Sequence, residues 1–347
     1  MSRAAASSTK ALAAILPLIA SGQAYEAHQK ARTFASRYVK SEQYDTAVEV
    51  LFQSARELLK AGQIGSGADL SSFLLDVYER KGEPVGPESR GRLTQLIVLI
   101  GANGSWRKTL IDKSIGWSAK HGPYPAGDID LHHYIGELLY HDGALDAAEP
   151  HLLAAGKRDS ARLLARVYFD WASATAGGLA SYSGTYALRG ALPYLFNGNV
   201  LAARAFMSEF LSLLPQIPPF RSDRQQPLAI SADDEIVWTE VRELNFLQLA
   251  IRVIQRAQGT GSKAAREAWV RLCGTYQSRG GVLAQPEVRV VLNELATLYF
   301  AIPPPRTQNA NPLGDIMSSL FGGSPGDGAA PPPRRSITPG SGRLGLD

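Results

Sequence analysis

Residues Tyr25 to Leu59 read YEAHQKARTFASRYVKSEQYDTAVEVLFQSARELL, and the fold turns on this stretch. Before the break at Ser41-Glu42-Gln43, Ala27, Ala31, Phe34, Ala35 and Tyr38 fall on one helical face. After it, Tyr44, Ala47, Val48, Leu51, Ala55, Leu58 and Leu59 do the same. Apolar residues at i, i+3, i+4 and i+7 mark an amphipathic helix whose stripe must be buried against a neighbour. So short a break forces two such helices antiparallel, which predicts an αα-hairpin.

The same pattern recurs along the chain. From Thr9 to Ile302, helical patterns follow one another, punctuated by Gly, Pro and Asn. YVKSEQYDTAVEVL, LLYHDGALDAAEPHLL and YLFNGNVLAARAFMSEFL each close a helix on a large apolar residue and pass through a short polar or Gly turn. Each then opens the next helix on small residues, which let helix backbones approach closely, while Gly ends the preceding helix left-handed. Weakly self-similar helical hairpins predict an all-α, tetratricopeptide-like α-solenoid. Its expected halves are residues 9–155 and 156–302, after a disordered start over 1–8.

One segment breaks the pattern, LPQIPPFRSDRQQPLAISADDEIVWTEVRELNFLQLAI. A proline cluster (Pro215, Pro218, Pro219) precedes PLAI and EIVWTEV, two runs that fit strands and are separated by the turn-forming SADD. This predicts a β-hairpin or ordered loop near residues 218–240, an insertion in the C-terminal half. A strand edge exposed there is a binding surface in waiting. Beyond Ile302 the chain turns Pro- and Gly-rich, which is too little apolar surface to fold alone. Within residues 303–347, Leu313, Ile316, Met317, Leu320 and Phe321 stand at helical spacing. That short motif, 313–321, suits a last docking helix or a segment held out for a partner.

Composition narrows the function. The net charge is +4, with 36 basic and 32 acidic residues interleaved along the chain, so the charge balance does not argue for nucleic acid. The longest apolar run, Leu12 to Ala20, is too short to span a bilayer and contains Pro17. One cysteine, Cys273, permits no internal disulfide and favours a reducing compartment; its helical setting points to a packed structural thiol. The opening MSRAAASSTKALAAILPLIASG shares basic and apolar features with targeting peptides, but is read as the start followed by the first scaffold helix.

Catalytic motifs are wanting. GQIGSGADL, from Gly62 to Leu70, is Gly-rich but lacks the lysine of a phosphate-binding loop, and reads as an interhelix turn capped by Ser66 with Asp69 in the first helical turn. His132, His133 and His141 lie near one another in sequence, without the spacing of a zinc-protease motif. No cofactor and no enzymatic activity are expected.

The stretch YEAHQKARTFASRYVKSEQYDTAVEVL resembles the N-terminal signature of the Golgi-to-ER traffic protein four family. ELNFLQLAIRV, Glu243 to Val253, resembles that family's C-terminal core motif, and LATLYFAIPPPRTQNANPLGDIMSSLFGG resembles its end. The resemblance runs from about Tyr25 to Gly323. It implies a cytosolic adaptor of the guided-entry pathway for tail-anchored membrane proteins. In the family the N-terminal helices bind the targeting ATPase and the C-terminal half grips a ubiquitin-like-domain protein. The complex thereby links a tetratricopeptide co-chaperone to the ATPase, with one copy of the chain expected per ubiquitin-like partner. Carried onto this sequence, the ATPase-facing residues are Tyr25, Lys30, Arg32, Arg37, Lys40 and Asp69. The residues facing the ubiquitin-like protein are Ile236, Val237, Trp238, Phe246 and Leu247. Two rival readings remain at this point: a helical-repeat subunit of another multiprotein complex, and a helical enzyme built around the three histidines.

Overall fold

The computed structural model describes residues 3–102, 104–221, 227–231, 234–257 and 262–303, so the motif at 313–321 lies outside the described residues. Fourteen α-helices and one two-stranded sheet stand among them. The first four are α1 (Arg3–Ala20), α2 (Ala24–Lys40), α3 (Tyr44–Lys60) and α4 (Ile64–Lys81). The helical pattern of α1 begins at Arg3, ahead of Thr9, where an Ala-rich run supplies the strongest helix formers. It runs on through Pro17 and buries Ala11, Ile15 and Ile19 against α2 and α3.

One turn geometry joins these helices. In each linker the middle residue is left-handed: Gly22 at φ 81°, Glu42 at 57° and Gly62 at 77°. The next N–H reaches back to the helix it has left, from Gln23 to the Leu18 carbonyl, Gln43 to Tyr38 and Gln63 to Leu58, at 2.8, 2.8 and 2.9 Å. This is the Schellman closure, which satisfies carbonyls that a helix end would otherwise orphan. It returns at Gly143, where Ala144 bonds to Leu139, and at Gly198, where Asn199 bonds to Tyr194. The look-alike junctions in the sequence are one physical device. Because Gly62 closes α3, helix α4 already starts at Ile64. Ser66 therefore lies inside the helix rather than capping it, and Asp69 falls in the second turn.

Helices α5 (Pro87–Ile100), α6 (Trp106–His121), α7 (Ile129–His141), α8 (Leu145–Ala155), α9 (Arg158–Ala174), α10 (Gly178–Phe196) and α11 (Val200–Leu213) continue the stack. Packing is mainly between helices one or two places apart in sequence, as a solenoid requires. Small residues set the close crossings. A methyl group on Gly67 would strike Leu59, one on Gly136 would strike Leu152, and one on Gly190 would enter the Phe206 ring. The expected halves share one continuous core. Close to their boundary, the buried Glu149 carboxylate of α8 accepts hydrogen bonds from Arg189 of α10, at 2.8 and 2.5 Å, and from the Tyr168 hydroxyl of α9, at 2.7 Å.

The expected insertion follows α11. Strands β1 (Leu228–Ser231) and β2 (Asp234–Ile236) pair antiparallel, Leu228 opposite Ile236, with an irregularity between Ala229 and Ser231. The run EIVWTEV is strand only at its start. Beyond Ile236 the chain leaves the sheet and lies along α12 (Arg242–Gln255). Two more helices, α13 (Lys263–Gln277) and α14 (Pro286–Phe300), complete the described fold. Trp269 stacks on Phe300 with centroids 5.1 Å apart, and the Tyr299 hydroxyl donates to the Leu195 carbonyl at 2.6 Å, tying α14 back to α10. On α13, burial pushes the Cys273 thiol up to about 12, which suits an inert packed side chain.

Candidate functional site

Two surfaces collect the residues singled out in the sequence. The first lies on α2. Its stripe of Ala27, Ala31, Ala35 and Val39 is buried, leaving Lys30, Arg32, Arg37 and Lys40 exposed on the remaining circumference. Arg32, Ser36 and Lys40 recur every fourth residue and line a groove of about 450 Å3 shared with Asp69 and Phe73 of α4 and Lys113 of α6. Lys30 instead donates to the Ala14 carbonyl of α1 at 3.5 Å, and Tyr25 stands 75% exposed at the start of the helix, where it adds little to the packing.

The structure thus brings Arg32, Lys40 and Asp69 together but sets Tyr25, Lys30 and Arg37 outside that groove. Asp69 is itself engaged. Its Oδ2 receives His28 Nε2 at 2.8 Å and the guanidinium of Arg32, which also lies 5.6 Å from the Phe73 ring centroid. Burial pushes the Asp69 carboxyl up, yet the hydrogen bonds from Arg32 and His28 outweigh it and hold the group below the usual aspartate value. His28 is a residue the sequence reading missed. Its one visible signal is the i, i+4 spacing to Arg32, which places both on the side of α2 that meets α4.

The second surface is built around the hairpin. Residues 237–239 run extended beside α12, and two amides of that helix grip them. The Gln248 side chain accepts from the Val237 N–H at 2.9 Å and donates to its carbonyl at 2.8 Å. Asn245 treats Thr239 alike, accepting at 2.9 Å and donating at 2.7 Å. Helix spacing i, i+3 thereby matches strand spacing i, i+2, and two side-chain amides stand in for a neighbouring strand.

Ile236, Phe246 and Leu247 are at most 2% exposed, with Phe246 packed edge-on against Tyr276 at 5.5 Å. They shape this surface from beneath. Of the five residues singled out here, Val237 and Trp238 keep partial exposure. Sequence reading seized on the aromatic and aliphatic letters of ELNFLQLAIRV. The signal it passed over was the pair of amides, Asn245 and Gln248, three apart on a largely apolar helix.

The histidines do not converge. His132 Nε2 lies 3.0 Å from the Ala126 carbonyl, which can only accept, so that nitrogen carries the proton and Nδ1 accepts from His151 Nδ1–H at 2.9 Å. His133 Nδ1 meets Ser160 Oγ at 2.9 Å, and His141 faces Tyr140. Among the described residues no group of three or more His, Cys, Asp or Glu is placed to hold a metal ion, and no helix is long and apolar enough to cross a membrane.

Comparison with known proteins converges on one family. The model of the family described as Golgi to ER traffic protein 4 matches residues 41–321. Golgi to ER traffic protein 4 of Aspergillus fumigatus is 33% identical over 325 residues, covering 88% of this chain and 87% of its own length. The protein of that name in Schizosaccharomyces pombe is 28% identical, covering 87% and 92%, and the Homo sapiens homologue is 25% identical, covering 87% and 84%. The crystal structure of C. therm. Get4 superposes with a TM-score of 0.76 at 32% identity, covering 91% of this chain and 96% of that one. Sequence and fold agree: the chain belongs to the Golgi to ER traffic protein 4 family, adaptors of the guided-entry pathway to the endoplasmic reticulum and not enzymes.

Proposed function

We propose that this chain is a cytosolic, two-ended adaptor. Its N-terminal half binds the targeting ATPase for tail-anchored proteins and its C-terminal half binds a ubiquitin-like-domain protein, with one copy of this chain per ubiquitin-like partner. The observation that carries this reading is the placement of two distinct surfaces on helices far apart in the stack. The groove of Arg32, Lys40 and Asp69 belongs to α2, α4 and α6, whereas the hairpin is held by α12, and no substantial packing joins those sets among the described residues.

The surfaces also differ in chemistry. The α2 face offers exposed long cations, which speed and orient docking more than they tighten it and so suit a partner that must be released. The hairpin surface offers an extended segment pinned to a helix beside a cavity of mixed polar and apolar lining, which suits a partner that stays.

The test is recovery of both partners from cytosol by the purified chain. Reversal of Lys30, Arg37 and Lys40 to Glu is expected to lose the ATPase and keep the ubiquitin-like protein. Gln248→Leu is expected to do the opposite. Loss of both partners with either variant, from a chain that still melts cooperatively, would refute independent ends.

A further inference from the structure

The exposed cations of α2 are not alike. Among the described residues, Lys30, Arg37 and Lys40 have no carboxylate within ion-pair distance, whereas Arg32 meets Asp69 of α4. One oxygen of that carboxylate is gripped twice. Asp69 Oδ2 accepts from the Arg32 guanidinium and lies 2.8 Å from His28 Nε2. Despite the upward push of burial, these bonds hold the carboxyl below the usual aspartate value, so it is ionised. An ionised carboxylate only accepts, and His28 Nε2 therefore carries the ring proton.

The three groups are unequally accessible. The His28 side chain is 14% exposed, against 38% for Asp69 and 45% for Arg32. His28 precedes Arg32 by one helical turn, so both reach α4 from the same side of α2. The imidazole is thus the sheltered anchor that aims the carboxylate, and the guanidinium is the outer member that a visitor can reach. Asp76 lines the same groove but lies 3.9 Å from Lys113 of α6 instead.

We propose that Asp69 is an internal competitor for Arg32: in the free chain it occupies the guanidinium that the α2 face would otherwise offer to an acidic side chain of the ATPase. This rests on the reading that α2 faces the ATPase, and adds a device that keeps docking brief. When a partner carboxylate takes Arg32, Asp69 retains its bond to His28 and is not left without a donor. As the complex loosens, Asp69 recaptures Arg32. His28 is a positioning residue that acts through Asp69.

The experiment measures the affinity of the purified targeting ATPase for full-length chain at about 50 and 150 mM salt, where screening of partly exposed pairs differs. Asp69→Asn tightens binding by about two- to fivefold at the lower salt, the worth of an exposed ion pair. In an Arg32→Gln background the same change brings no such gain, because the competitor has nothing left to occupy. Asp76→Asn removes an equal charge from the groove, and its effect is the same with or without Arg32. His28→Leu frees the carboxylate to swing into water and brings part of the gain of Asp69→Asn, whereas His28→Gln keeps a donor there and binds as the native chain does. Neutralising the acids of the ATPase one at a time finds one whose loss abolishes the gain.

Weaker binding on Asp69→Asn would make Asp69 a direct contact of the partner and overturn the competition. A gain that persists in the Arg32→Gln background would reduce it to the general charge of the face and overturn it equally. Either result leaves the two-ended adaptor intact. Failure of the native chain to bind the ATPase at both salts removes the ATPase-facing reading and this inference together.

Discussion

Two glycine-to-alanine changes should move stability in opposite directions. At Gly190, within α10, an added Cβ would lie 2.2, 2.4 and 2.8 Å from Cζ, Cε2 and Cε1 of Phe206, where carbon atoms prefer about 3.5–4.0 Å. The ring would have to retreat by more than ~1 Å to restore that spacing. It has no room to do so, being fully buried, stacked on Phe210 with centroids 5.7 Å apart and edge-on to Tyr168 at 6.0 Å. Overpacking of this kind costs about 1–3 kcal/mol, and three ring atoms in collision place Gly190→Ala at the upper end. Alanine returns about 1 kcal/mol through helix propensity, so the net loss is about 2 kcal/mol.

Gly116, exposed in the middle of α6, has nothing within 4 Å of its added Cβ. Only the propensity term operates there, and Gly116→Ala should gain up to about 1 kcal/mol. Urea denaturation followed by circular dichroism would compare the midpoints. Phe206→Leu shortens the side chain that collides with the new methyl, so in that background Gly190→Ala should become neutral or stabilising. If Gly190→Ala is as stable as the native chain, or if its penalty survives Phe206→Leu, close helix approach is not what that glycine provides.

The remaining predictions concern the turns, the hairpin and the histidine pair. Glu42→Gly should stabilise the chain by about 0.5–1 kcal/mol, because Glu42 fills the left-handed position that Gly22, Gly62, Gly143 and Gly198 take in equivalent turns; a lower urea midpoint would contradict this. Gln248→Leu leaves the Val237 N–H and carbonyl without their side-chain partner, a loss of about 2–4 kcal/mol confined to the hairpin, and amide hydrogen exchange should accelerate at Val237 while α2 and α3 stay protected. Burial lowers the pKa of His132, and lowers that of His151 to about 4 with help from His132. Folded values below the unfolded 6.5 mean that unfolding takes up protons, so stability is full above about pH 6.5 and falls as the pH drops below it, for His151 down to about 4, by up to ~1.4 kcal/mol per pH unit per group. His151→Phe should flatten that slope, as urea midpoints at pH 7.5 and 5.5 would show.

The fold was legible because burial dictates it. The stripes of α2 and α3 can be read off Tyr25 to Leu59 residue by residue, and of those named there only Phe34, Tyr38 and Tyr44 fall short of full burial. Periodicity says which face turns inward, and a solenoid asks little more, since each helix meets mostly its sequence neighbours. Hidden from the sequence were pairings that depend on register between elements. Nothing in GQIGSGADL tells that Asp69 will meet His28, forty-one residues earlier, because that contact requires α2 and α4 to flank α3 at the observed rotation.

The polar letters on apolar helices prove to be the informative ones, and the reason is energetic. A buried Leu or Phe is satisfied by any apolar neighbour of suitable size, so Phe246 and Leu247 mark a core position without saying what lies over it. A buried amide is satisfied only by a donor and an acceptor at hydrogen-bond distance, and leaving them unmade costs about 1–3 kcal/mol per group. Gln248, 5% exposed, must therefore have a specific backbone opposite it, and the chain supplies Val237. Glu149 follows the same logic: a carboxylate 3% exposed on α8 requires cations and hydroxyls brought from elsewhere, and Arg189 and Tyr168 arrive from α10 and α9. Read this way, the insertion is an extended strap whose attachment was already encoded in α12, in the two amides of ELNFLQLAIRV.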